Sequence, residues 1–209
     1  MTDQVGDRQA AELVLASLQI ERVALDKLAV YADLLQGHRL VGLSTLPVLW
    51  TRHFVDSARL LPFCQGRSGP LVDIGSGAGF PGMVLAILGC LDVHLVEPRR
   101  SRATFLANVS RETSTPVTIH KAPIAQISLA AGFAQVITAR AVTNLSALIA
   151  WSAPFYAPST VGLFFKGARY AEDLRQAQQN HPNYRFTIVR ENPQLAQYSR
   201  GVLIQVVAK

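Results

Sequence analysis

Between Leu71 and Gly89 the chain reads LVDIGSGAGFPGMVLAILG. An apolar run ending at Ile74, four glycines within GSGAGFPG, and a second apolar run after Pro81 describe a strand, a turn cleared of side chains, and a helix. Glycine accepts φ > 0 and carries no Cβ, so a ligand can lie against bare N–H groups near the helix start. The turn falls at the carboxyl end of its strand, where open α/β sheets bind small molecules.

The rhythm on both sides supports this reading. After QGRSGP at 65–70, short β-rich runs (PLVDI, VHLVE, VTIHK, AQVIT, VGLFFK) alternate with helical stretches (PGMVLAILG, RSRATFLANVSRE, TNLSALIAWSAPF, ARYAEDLRQAQQN). Strands apolar almost throughout predict a mostly parallel sheet covered on both faces. The last two runs, YRFTIVRE and GVLIQVVAK, predict an antiparallel pair. Ahead of the loop, Ala24, Leu28, Tyr31 and Leu35 form a helical stripe within residues 9–36, and STLPVLWTRHFVDSARLL predicts a renewed helix from Ser44. We therefore expect an α/β, Rossmann-like fold with a seven-stranded sheet over 66–209 and a helical N-terminal extension over 1–65.

A chain of 209 residues, 49% apolar and 16% charged, suits one main packed domain. Its start lacks the layout of a secretory signal, and its longest apolar stretch, GMVLAILGCL, is about half of the roughly 20 residues a membrane span needs. A cytoplasmic monomer without a membrane segment is expected. Cys64 and Cys90 stand apart in sequence, with no metal-ligand spacing around them. Residues 1–36 carry six acids against three Lys or Arg, whereas 37–209 carry eight against seventeen, so a body of net charge +9 follows a leader of −3. A basic body suits a polyanion such as nucleic acid.

The turn leaves two cofactors open. Gly77, Gly79 and Gly82 satisfy G-x-G-x-x-G, and Glu97 follows Gly77 by 20 residues, as a dinucleotide fingerprint would have it. Counted from Gly75, however, the spacing demands glycine at Phe80. Asp73, beside the turn, suits an amine-bearing ligand such as S-adenosyl-L-methionine better than a pyrophosphate. Glu97 could accept from ribose hydroxyls of either cofactor.

DIGSGAGFPG, LVEPRRSRATFL, ITARAVTNL and FFKG, with RHFVDS upstream, together resemble the bacterial small-subunit (16S) ribosomal RNA guanine-N7 methyltransferases of the glucose-inhibited division protein B type, across residues 39–209. The resemblance implies S-adenosyl-L-methionine as cofactor and small-subunit ribosomal RNA, or the assembling small subunit, as partner. It implies Gly75, Gly77 and Phe80 lining the cofactor, Glu97 taking the ribose, and Ile124 and Ala125 flanking the adenine. Arg140 would lie between cofactor and incoming base. Lys166 and Arg200 would lie near the RNA, Lys166 or Arg140 could donate to guanine O6, and Arg52 and His53 would position the substrate. Arg99 and Arg100, with Arg102, would meet the RNA backbone. Two positions depart from the family pattern: Ala125 and Gln135 stand where relatives usually carry acids.

Overall fold

A computed structural model describes residues 2–38, 40–67, 69–190, 195, 197–198 and 201–209. Helices α1 (Thr2–Ser17) and α2 (Arg22–His38) lead, followed by irregular turns and short helices α3 (Asp56–Ala58) and α4 (Leu61–Cys64). Strand and helix then alternate: β1 (Leu71–Ile74), α5 (Gly82–Ile87), β2 (Val93–Val96), α6 (Arg100–Glu112), β3 (Thr118–His120), β4 (Ala134–Arg140), α7 (Leu145–Ser152), β5 (Tyr156–Lys166) and α8 (Tyr170–Asn180). β6 (Tyr184–Ile188) and β7 (Val202–Ala208) complete a seven-stranded sheet of order β3-β2-β1-β4-β5-β7-β6. Pairing is parallel from β3 through β5, and β7 runs antiparallel to both neighbours.

The fully buried runs of β1 and β2 reflect cover on both faces. Side chains alternate between two apolar layers. Leu71 and Leu95 face the layer holding Leu15, Leu28 and Phe54 of the N-terminal segment with Met83 and Leu106. Val72, Ile74 and Ile137 face the layer built by Leu145, Leu148 and Ile149 of α7. The N-terminal helices thus share one continuous core with α5 and α6. Cys64 and Cys90, distant in sequence, line one cavity.

The renewed helix expected from Ser44 is not a regular α-helix. Leu43–Val48 is a 3₁₀ segment with Pro47 inside it, and Trp50–Val55 is a π-turn. Asp7 of α1 fastens the start of that turn, accepting from Trp50 N (2.8 Å), Thr51 N (3.2 Å) and Thr51 Oγ1. The wider turn keeps Trp50, Phe54 and Val55 buried while Arg52 and His53 line a cavity.

β1 and α5 approach closely at Gly82. A Cβ there would lie 2.5 Å from Leu95 Cδ2 and 2.6 Å from Asp73 Cβ. Gly82→Ala is therefore expected to lower stability by about 1–3 kcal/mol through overpacking, read as an earlier urea midpoint with unchanged slope.

Candidate active site

The sheet order reverses direction of growth between β1 and β4, opening a crevice at the carboxyl ends of those strands. Gly75 and Gly77 turn the chain there at φ +67° and +60°, a region unfavourable to side chains. Gly75 N and Ser76 N both bond to Val96 O, at 2.9 and 3.1 Å, tying the turn to β2. One residue past β2, Glu97 is only 3% exposed; its Oε2 accepts from Gly77 N and its Oε1 from Arg99 N, each at 2.8 Å. Each oxygen keeps acceptor capacity, the arrangement a pair of vicinal hydroxyls requires. Opposite the turn stands Val142, whose Cγ2 would be 2.7 Å from a Cβ on Gly75.

Asp73 does not join this surface, contrary to the expectation of direct cofactor contact. It is wholly buried, with Oδ1 accepting from Thr138 Oγ1 (2.7 Å) and Oδ2 from Gly82 N (3.2 Å). Burial pushes its carboxyl up to about 6, against the pull of hydrogen bonds from Thr138, Ser76 and Gly82. Its task is internal: it fastens the start of α5 to β4.

A cavity of about 290 Å³ lies beyond Phe80, lined by Arg52, His53, Asp56, Arg59, Arg140 and Lys166 among others. Arg140, at the end of β4, sits over the Phe80 ring at 4.8 Å. Its Nη1 donates to Asp56 Oδ2 (3.3 Å), and its Nη2 lies 2.8 Å from His53 Nδ1. A guanidinium has no acceptor, so His53 must present an unprotonated Nδ1. Its ring stacks on Phe80 at 4.7 Å, and burial with the Arg140 and Arg52 charges lowers its pKa to about 3. His53 is thus a neutral holder of Arg140. Burial lowers the Arg140 pKa while Asp56 supports its charge. Among the described residues, Arg52 Nε and His53 Nε2 are buried nitrogens with no hydrogen-bond partner, so this wall has unspent hydrogen-bonding capacity.

Lys166 also borders the cavity, but its ammonium is engaged by Asp173 Oδ2 (2.5 Å) and Thr143 O (2.8 Å), while Asp173 Oδ1 accepts from Leu145 N. It braces the β4–α7 connection through these two contacts, and an ammonium has a third N–H beyond them. Ile124 is buried beside Val72, Ile74 and Val96, and Ala125 next to it is exposed. Arg99 and Arg100 are exposed at the start of α6, and Arg102 Nη1 reaches within 3.7 Å of where a Gly77 Cβ would stand. Gln135 lies at the opposite end of β4 from Arg140, donating to Ser159 O. Arg200 lies outside the described residues.

Sequence reasoning missed Tyr31 and Asp56. Tyr31 reads as one member of an apolar stripe, yet its hydroxyl donates to Ala78 O inside the glycine turn and its ring stacks on Phe80 at 5.7 Å. Asp56 was in plain view within RHFVDS, three residues after His53.

The chain is similar to known proteins in sequence and in fold. The family model described as rRNA small subunit methyltransferase G matches residues 24–191. Curated relatives named Ribosomal RNA small subunit methyltransferase G include one from Paramagnetospirillum magneticum, 45% identical over 78% of this chain and 80% of its own, and one from Rhodospirillum centenum, 43% identical over 78% and 76%. Among solved structures, the ribosomal protein L11 methylase of Lactobacillus delbrueckii subsp. bulgaricus superposes with TM-score 0.58 at 12% identity, covering 74% of this chain and 77% of that one. The tRNA (m1A58) methyltransferase of Aquifex aeolicus gives 0.56 at 11%, covering 74% and 69%. These distant likenesses bear on the fold alone. With the family match spanning most of the chain and relatives above 40% identity, the chain belongs to the rRNA small subunit methyltransferase G family, whose cofactor is S-adenosyl-L-methionine.

Proposed function

We propose that this chain moves the methyl group of S-adenosyl-L-methionine onto N7 of a guanine in small-subunit ribosomal RNA, acting as a monomer on free RNA or on the assembling subunit. The observation that carries the reading is the cationic cavity around Arg140, which adjoins the glycine turn through the Phe80 ring.

The residues at the turn fit the cofactor. Glu97 would take the ribose hydroxyls, the bare backbone at Gly75 and Gly77 would lie along the nucleoside, and Ile124 with the Ala125 backbone would flank the adenine. When bound, the cofactor supplies an electrophilic methyl on a sulfonium. N7 of guanine offers an in-plane lone pair with no proton, so the chain needs no general base. Its contribution is placement, and orientation effects of this kind can be worth on the order of 7–11 kcal/mol.

Arg140 is suited to that task. Its most familiar contact with guanine is bidentate to O6 and N7, but here N7 must keep its lone pair for the methyl group. A single hydrogen bond to O6 is compatible with transfer. The links to Asp56 and His53 fix the guanidinium so that one remaining N–H can serve it. Arg52 would meet a backbone phosphate near the target, and Arg99 and Arg100 would extend that track outside the crevice. The helical extension over 1–65 would form the substrate-side wall against the methyltransferase domain over 66–209, with Asp7 holding the Arg52–His53 turn in place.

Nucleoside mass spectrometry of small-subunit ribosomal RNA from cells lacking the gene tests this reading. Loss of one 7-methylguanosine, restored by the wild-type gene, is expected. An unchanged content removes the assignment.

A further inference from the structure

We propose that Asp56 is a specificity-determining residue, accepting hydrogen bonds from N1–H and the N2 amino group of the target guanine. This rests on the reading that the cavity beside Arg140 receives the base. Asp56 is the only acid lining that cavity among the described residues, amid Arg52, Arg59, Arg140 and Lys166.

The pattern of donors and acceptors carries the inference. Arg140 Nη1 and Asp56 Oδ2 are 3.3 Å apart, so a donor and an acceptor stand side by side on one wall. Guanine presents the complementary order along one edge: the O6 acceptor, then the N1–H donor, then the N2 amino donor. Adenine presents an amino donor followed by an N1 acceptor, placing donor against donor at Arg140 and acceptor against acceptor at Asp56. One pair of side chains can thus favour guanine and disfavour adenine, which attraction to phosphate alone cannot do.

The carboxylate has capacity for this role. Oδ1 accepts from Arg59 Nη1 and Oδ2 from Arg140 Nη1, and a carboxylate offers about four lone-pair positions, so each oxygen can accept once more. The competing role is purely architectural, with Asp56 doing no more than holding Arg59 and Arg140.

Inosine separates the two roles, because it keeps N7, O6 and N1–H and lacks only the N2 amino group. Once the guanosine that loses its methyl group in the gene-deleted strain is mapped, small-subunit RNA is prepared with guanosine or inosine at that site. Single-turnover transfer is then measured for the wild type and Asp56→Asn. The wild type is expected to prefer guanosine by about tenfold or more, the range for a hydrogen bond to a charged group. Asp56→Asn should be slower on guanosine, with the preference reduced at least threefold. Equal preference in the two proteins, or none in the wild type, overturns the proposal. If Asp56→Asn does not fold, Asp56→Glu replaces it: a displaced carboxylate must change the guanosine-to-inosine ratio, and an unchanged ratio is again fatal. Arg140→Ala on the guanosine substrate keeps the underlying reading separate, since a normal rate there would place the base outside this cavity.

Discussion

Arg140→Ala is expected to lower the single-turnover rate of methyl transfer by about a hundredfold or more, the scale of loss that displacement of a reacting group by about an ångström produces. The fold should survive. Asp56 keeps Arg59 as its partner, so the substitution does not strand a buried charge, and Arg140 lies at the end of β4 rather than within its core. The thermal midpoint and cofactor affinity should therefore change far less than the rate. Arg140→Lys should recover little, because an ammonium cannot span Asp56, His53 and the Phe80 face together. A rate within tenfold of wild type for either variant would remove Arg140 from the transfer site. His53 adds a pH signature. With its folded pKa near 3, it remains neutral through the physiological range, and the rate should show no inflection near 6.5 from this residue. The unfolded chain takes up a proton at His53 below about 6.5 that the folded chain refuses, so stability declines as pH falls from 6.5 toward 3. His53→Asn should flatten that decline, as read by urea unfolding across the window.

The split between what could and could not be read from the sequence has a physical basis. Strand–helix alternation after residue 70 and the glycine turn are local patterns, and local patterns fix which backbone groups pair and which ends of strands meet. The parallel sheet, its antiparallel close and the meeting of the glycine turn with Glu97 were legible in that way, whereas the place of Arg140 was implied by the family resemblance. Asp73 and Lys166 were not legible, because their roles depend on partners such as Thr138 and Asp173 that only the folded chain brings within reach. A carboxylate beside a glycine turn looks the same in sequence whether it faces a ligand or a helix start. Tyr31 shows the converse: apolar periodicity placed its ring in the core, while its hydroxyl meets a carbonyl 47 residues away. The π-turn at Trp50–Val55 escaped because its residues also suit an α-helix, and the Asp7 contacts at its start lie more than 40 residues distant.

Glu97→Gln should weaken S-adenosyl-L-methionine binding by about a hundredfold in calorimetry, from the loss of hydrogen bonds to charge that are each worth roughly 1.5–3 kcal/mol. The carboxylate is an acceptor on both sides at once. Gly77 N and Arg99 N each use one position, and the remaining lone pairs face the demand of two ribose hydroxyls. An amide can accept at only one end. Its other end carries N–H groups that would oppose either the Gly77 N–H or the Arg99 N–H, so the substitution disturbs the glycine turn together with the ribose contact. A cofactor analogue lacking one ribose hydroxyl resolves the two effects. It should bind the wild type roughly tenfold less well than the parent, and the variant with a smaller penalty, because the missing hydroxyl no longer has a charged partner to lose. Equal penalties would mean that Glu97 only shapes the turn, and an unchanged affinity for the intact cofactor would place the ribose elsewhere. RNA affinity measured without cofactor should stay as in the wild type, since Arg52 and Arg140 belong to the cavity beyond Phe80 and have no hydrogen bond to Glu97 among the described contacts.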